Sequence, residues 1–197
     1  MIFENYKNLD LNGYEVLIAG SGPAGISLAI ELEKKNIKSI IVEAGNYNYS
    51  EESQNFYKGS HNSNIISDIS ASRIRQFGGT SNIWGGWCKP LNKLDFDGWN
   101  FNHNKLKEYE NDTCKILDIK NSFRERKIDK NFNQIEFQYS KVKFAEKYND
   151  HIKKSKNIII FLNTQLSHFV GANGKIVFAK CISNKVTIDL KTKHFVL

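Results

Sequence analysis

The feature that most restricts this chain is a strand, a glycine turn, a helix and a second strand, all within residues 1–45. Tyr14 to Ala19 (YEVLIA) is short and nearly all apolar, the pattern of a strand covered on both faces of a parallel sheet. It runs straight into Gly20-Ser21-Gly22-Pro23-Ala24-Gly25. From Ile26 to Lys35 the spacing becomes helical, with Gly25, Leu28, Ala29 and Leu32 on one face. Asn36 ends that pattern. Lys38 to Val42 (KSIIV) is a second apolar strand, and it closes on Glu43.

Each residue of this unit has a physical task. Gly20 permits a tight turn, Gly22 lets a pyrophosphate approach the backbone, and Gly25 lets the helix pack closely on the sheet. The helix N-terminus offers free N–H groups and the positive end of a dipole to phosphate. Glu43 follows the last glycine by 18 residues, near the ~20 at which an acid meets ribose hydroxyls. Its charge would repel a 2′-phosphate. A lone GxGxxG is only a glycine-rich turn, but here strand, helix, second strand and terminal acid fall in register, so the unit reads as dinucleotide-binding. The motif alone leaves FAD and NAD open. Its nearness to the N-terminus and its Gly-Pro-Ala-Gly form lean towards FAD.

A second glycine cluster lies at residues 73–90, RIRQFGGTSNIWGGWCKP. Gly78-Gly79 and Gly85-Gly86 flank Thr80-Ser81-Asn82-Ile83-Trp84, which offers small hydroxyl and amide groups beside an indole. Residue types alone fit a wall for a flat ligand and an irregular loop around a buried tryptophan equally well.

Taken together, GSGPAG, VEAG and RIRQFGGTSNIWGGWCKPL resemble the glucose-methanol-choline family of FAD-dependent oxidoreductases. Within it the likeness is to the bacterial sugar- and alcohol-oxidising branch related to pyranose 2-oxidase. The resemblance implies an α/β fold: a Rossmann-like FAD-binding domain of parallel sheet and helices plus a β-meander, cut short at the C-terminus. It implies that Gly20, Ser21, Gly22, Pro23, Ala24, Gly25, Glu43 and Ala44 hold the adenosine and pyrophosphate. Gly78, Gly79, Thr80, Ser81, Asn82 and Trp84 inherit contacts along the isoalloxazine and ribityl chain, and Leu166 meets the adenine through its backbone. Arg75 stands where it would hold this loop or face the phosphates, though a surface arginine fits the sequence equally well. Some relatives attach FAD through a histidine just before the tryptophan. Ile83 occupies that place here, so non-covalent FAD is expected.

The rest of the chain is less specific. Residues 1–90 read as the FAD-binding segment, 91–150 as a loop and helix leading towards a substrate domain, and 151–197 as the return of the first domain. Leu106, Tyr109, Thr113 and Leu117 share one helical face, which makes Tyr109 a packing residue. Asn121 to Tyr139 shows no clear element. Phe144 to Lys154 reads as a helix, Asn157 to Leu162 as a buried strand, and Lys175–Ile182 with Lys185–Leu190 as a meander. The final KHFVL reads as a sheet strand that would feed a further glycine turn, and the resemblance implies a catalytic histidine beyond it, paired with another histidine or an asparagine. His61, His103, His151, His168 and His194 form no recognisable constellation with a carboxylate or nucleophile, so no catalytic residue is expected among them.

Composition excludes several other classes. The net charge of +7 is scattered over lysines such as Lys34, Lys35, Lys153, Lys154, Lys191 and Lys193, not gathered into the stripe of a nucleic-acid binder. The 3 cysteines, Cys88, Cys114 and Cys181, have neither metal-ligand spacing nor the even number of a disulfide framework. No apolar run approaches the ~18–20 residues that span a bilayer, and residues 1–13 do not resemble a signal peptide. The expectation is a cytoplasmic protein without a membrane segment. Its implied partners are an alcohol or sugar substrate and an external electron acceptor. The rival readings are a monooxygenase or ketone-reducing flavoprotein with the same front end, a non-catalytic FAD-binding fragment, and an NAD-binding domain.

Overall fold

The computed structural model describes residues 1–60, 68–102 and 104–197. His61 and His103, two of the histidines weighed above, lie outside them. The chain forms two compact units: residues 1–84 with 143–197, and residues 85–142. The change of unit therefore falls ahead of the sequence boundaries at 90 and 150.

In the first unit a five-stranded sheet is built from β1 (Ile2–Phe3), β2 (Tyr14–Ala19), β3 (Lys38–Val42), β4 (Ile158–Phe161) and β8 (His194–Val196). The strands lie in the order β1–β4–β3–β2–β8, and every neighbouring pair is parallel. Side chains alternate across it, and both faces are covered, which is why the strands read as unbroken apolar runs. One face carries Leu17, Ile40, Val42, Ile159 and Phe161, packed with Ala179, Cys181 and Leu190. Those last three come from an antiparallel meander of β5 (Thr164–Ala172), β6 (Lys175–Ser183) and β7 (Val186–Leu190). Its turns carry Asn173 and Gly174 (φ 52° and 74°), then Asn184 and Lys185 (φ 49° and 65°). Positive φ at both central residues matches the strand twist of a tight hairpin. Lys185 therefore belongs to the turn, not to the strand the sequence suggested.

Helix α1 (Pro23–Lys34) packs over the opposite face beside α2 (Phe144–Lys154). Its buried residues are Ile26 and Ala29; of the expected face, Ala29 is buried, Gly25 packs on β2 and the turn that follows it, and Leu28 and Leu32 are half-buried. Asn36, at φ 59°, leaves the helix in the left-handed region, and the chain turns back into β3. Strand β1 had no sequence signal. It is held by Phe3 stacked on Phe161 at 5.9 Å and by its ladder to β4. Tyr6, Leu9 and Leu11 follow it onto the meander-side core.

In the second unit Trp87–Cys88 pairs antiparallel with Gln138–Tyr139, and Glu125–Lys127 pairs with Asn133–Ile135. The latter hairpin lies in the stretch where no element was expected. The helix expected before Ile119 is two short ones, Asn104–Lys107 and Glu110–Ile116. Leu106, Tyr109, Thr113 and Leu117 therefore do not lie on one helix, but all four line a cavity of about 270 Å³. Tyr109 is 61% exposed, not packed.

Candidate functional site

The site begins where β2 ends. Gly20 turns the chain at φ 96°, and its N–H donates to the Val42 carbonyl at 2.8 Å. The turn passes into α1 through Gly22, whose extended backbone (φ −72°) caps the helix without any side-chain hydrogen bond. Pro23 fills the first helical position, where a missing N–H costs nothing. No acidic residue stands in the first turn. The first-turn amides and the dipole end of α1 are therefore open to an anion. A Cβ on Gly22 would find only the Gly79 Cα, at 4.0 Å, so this position is open space. Gly25 is different: a Cβ there would lie 2.1 Å from the Gly20 carbonyl oxygen. Its lack of a side chain lets the helix sit on the turn.

Glu43, at the end of β3, is 6% exposed and bonded to its own chain through both carboxylate oxygens. Its Oε2 accepts from the Ser21 N–H at 2.8 Å and the Ser21 hydroxyl at 2.7 Å, and its Oε1 accepts from the Gly45 N–H at 2.7 Å. A carboxylate offers about four acceptor positions, so about one is left for a ligand. The observed work of Glu43 is to brace the glycine turn. Ser21, wholly buried, spends its hydroxyl in that bond.

The second glycine segment packs on the first. Gly78 and Gly79 have φ 88° and 57°, a conformation that side chains disfavour. The Gly78 N–H donates to the Ser21 carbonyl at 3.1 Å. A Cβ on Gly79 would lie 2.7 Å from the Gly22 Cα, and one on Gly78 2.6 Å from the Ala145 nitrogen at the start of α2. These glycines thus fold against the protein's own backbone. Ser81 is buried; its hydroxyl donates to the Gly78 carbonyl at 2.7 Å and accepts from the Phe144 N–H at 3.0 Å. Asn82 donates to the Phe77 carbonyl at 2.8 Å. Both side chains hold the loop in shape.

One cleft of about 450 Å³ collects most of the expected residues, within the ~300–1,000 Å³ usual for ligand sites. Gly20, Gly22 and Pro23 line it from the turn, Glu43 and Ala44 from β3, and Gly79 and Thr80 from the second segment. Arg75 and Leu166 complete the set. Ser21, Ala24, Gly25, Gly78, Ser81, Asn82 and Trp84 do not line it; Asn82 and Ile83 border a second cleft with Lys143 and Glu146. Sequence reasoning missed Tyr57, Ile74 and Gln165, which also line the first cleft. Gln165 and Ile74 had a signal in their places beside Leu166 and Arg75; Tyr57 had none. Arg75 is no free surface side chain. Its Nε donates to the Ser53 hydroxyl at 3.2 Å and its Nη2 to Gln165 Oε1 at 3.1 Å, with the guanidinium 4.6 Å from the Phe56 ring centre. Gly45 was likewise passed over, yet a Cβ there would lie 2.2 Å from the Arg75 carbonyl oxygen.

Away from the cleft, His151 Nε2 lies 2.5 Å from Glu33 Oε2, a carboxylate pairing invisible in the sequence. Ser155 also donates to Glu33. Its hydroxyl accepts from the Asn157 and Ile158 N–H groups, so it finishes α2 and is not held by the imidazole as a nucleophile would be.

No protein-family profile and no curated protein sequence matches the chain. Solved structures do. A pyridoxine 4-oxidase from Mesorbium loti superposes with a TM-score of 0.56 at 11% identity, covering 92% of this chain and 48% of that one. An FAD-dependent oxidoreductase from Chaetomium thermophilum gives 0.61 at 14%, covering 91% and 44%. A fungal aryl-alcohol oxidase gives 0.54 at 10%, covering 93% and 45%. The chain therefore spans less than half the length of these structures, and over that span it shares their Rossmann-like α/β fold. Among the described residues no helix is long and apolar enough to cross a membrane.

Proposed function

We propose that this chain is the FAD-binding portion of an oxidoreductase acting on the CH–OH group of an alcohol, with a sugar or polyol as substrate class. The observation that carries the reading is the meeting of two glycine segments, Gly20–Gly25 and Gly78–Gly79, at the uncapped N-terminus of α1. An NAD domain needs only the first. The second, with the GGTSNIWGG sequence after it, favours the glucose-methanol-choline family and its sugar-oxidising branch.

The residues present fit the cofactor. The open α1 amides and the bare Gly22 suit a pyrophosphate, and the remaining acceptor position of Glu43 suits a ribose hydroxyl. The Leu166 backbone meets the adenine, while Gly79 and Thr80 carry the ribityl side. Ile83 offers no nucleophile for a covalent link, so the cofactor is held by contacts alone. When bound, FAD supplies the electron sink for a hydride from the carbinol carbon, and an external acceptor receives the electrons afterwards. The chain's own part is to bind and orient. On this reading the group that removes the hydroxyl proton belongs to a further part of the protein, and the setting is the cytoplasm.

Titrating the purified chain with FAD, while following flavin fluorescence and adding NADH as competitor, tests this. Saturable quenching that NADH reverses poorly is expected. Displacement by NADH at concentrations like those of FAD would favour a nicotinamide domain.

A further inference from the structure

Strand order lays the dinucleotide out in space. On the FAD-binding reading, the turn after β2 takes the phosphates and Glu43, at the end of β3, takes the ribose. The next strand in the sheet is β4, about 4.8 Å further on, and it continues into β5. Two backbone bonds fasten that continuation to the end of β3: the Asn163 N–H to the Gly45 carbonyl at 2.9 Å, and the Thr164 N–H to the Glu43 carbonyl at 2.8 Å. The residue that follows, Gln165, therefore stands one step beyond the ribose position, where the base must lie, and it lines the cleft.

Its amide has a defined direction. Arginine has only donors, so the bond from Arg75 Nη2 fixes Gln165 by its oxygen. The Arg75 guanidinium is held in turn by its Nε bond to Ser53 and by Phe56 beneath it, and its backbone N–H is accepted by Gln54 Oε1 at 3.1 Å. Gln165 Nε2 is then left as a donor without a partner among the described residues. Tyr57 and Ile74 add flat and apolar surface to the same wall. A heterocyclic base with ring-nitrogen acceptors on its edge is the ligand part such a wall recognises.

We propose that Gln165 reads the base of the dinucleotide through its Nε2 donor, and that Arg75 is the positioning residue that turns the amide to do so. This rests on the FAD-binding reading. The test compares FAD, ADP and ribose 5-phosphate, the last carrying sugar and phosphate without a base, in fluorescence titration and competition with the 197-residue chain. Gln165→Leu should weaken FAD and ADP alike, by roughly three- to tenfold for one hydrogen bond, and leave ribose 5-phosphate unchanged. Arg75→Met should reproduce part of that loss, and Arg75→Lys, which keeps a donor for the amide oxygen, should restore it. An unchanged ADP affinity in Gln165→Leu, or an equal loss for ribose 5-phosphate, would overturn the assignment while leaving the FAD reading intact. Failure of the unmodified chain to bind FAD would overturn that reading itself.

Discussion

Glu43→Gln is the substitution that separates a carboxylate serving a ligand from one serving the fold. The carboxylate is buried and accepts from Ser21 twice and from Gly45 once. A glutamine must turn its NH2 towards one of these sites. Facing Gly45 does least harm: one charge-assisted bond of about 1.5–3 kcal/mol is lost, and the two to Ser21 weaken to neutral strength. A buried Gly45 N–H left facing another donor adds to the cost. The expected loss of stability is about 2–4 kcal/mol in the ligand-free protein, read as a fall in the urea midpoint at unchanged m-value. Glu43→Asp, which keeps the charge but withdraws it by one methylene, should lose less. A Glu43→Gln protein as stable as the parent to within about 0.5 kcal/mol, yet unable to bind FAD, would refute the reasoning.

Other substitutions test neighbouring parts. Gly79→Ala must carry a side chain at φ 57° and place its Cβ 2.7 Å from the Gly22 Cα. It should lose at least about 1–2 kcal/mol of stability by thermal unfolding, and FAD binding with it. Ile40→Ala, at a wholly buried position in the middle of the sheet, should cost about 2–5 kcal/mol in urea unfolding. Burial raises the Cys181 thiol from the ordinary 9.0 to about 11. Because the folded value lies above the unfolded one, this contribution to stability is full below about pH 9 and is lost as pH rises to about 11. The urea midpoint should fall across that window, less so in Cys181→Ala, and Cys181 should stay silent to thiol reagents at pH 8 in the native protein.

The sequence revealed most where local periodicity and burial coincide. Strands β2 and β3 and helix α2 have the bounds their patterns suggest, because their apolar residues face a core on a regular period. β1 is too short to show a period. The Glu125–Lys127 and Asn133–Ile135 hairpin buries none of its strand residues, so no alternation marked it. At the site, the glycine turn and its terminal acid were legible because a helix must start close to a sheet. What they touch was not. The packing of Gly79 on Gly22, of Gly45 on Arg75, and the return of Ser21 to Glu43 join residues 22 to 57 positions apart. A local pattern carries no record of such meetings. The same holds for Arg75 and Gln165, which β5 brings together from 90 residues away.

The most direct test of the central claim is the FAD affinity of Gly22→Ala set beside that of the unmodified chain. Gly22 has an ordinary φ of −72°, and a Cβ there meets only the Gly79 Cα, at 4.0 Å. The ligand-free variant should therefore fold with a stability within about 1 kcal/mol of the parent. If the pyrophosphate of FAD lies against this glycine, the added methyl group occupies its place, and affinity should fall by at least roughly tenfold. A folded Gly22→Ala protein that binds FAD as tightly as its parent would contradict the account, because the cofactor would then lie elsewhere.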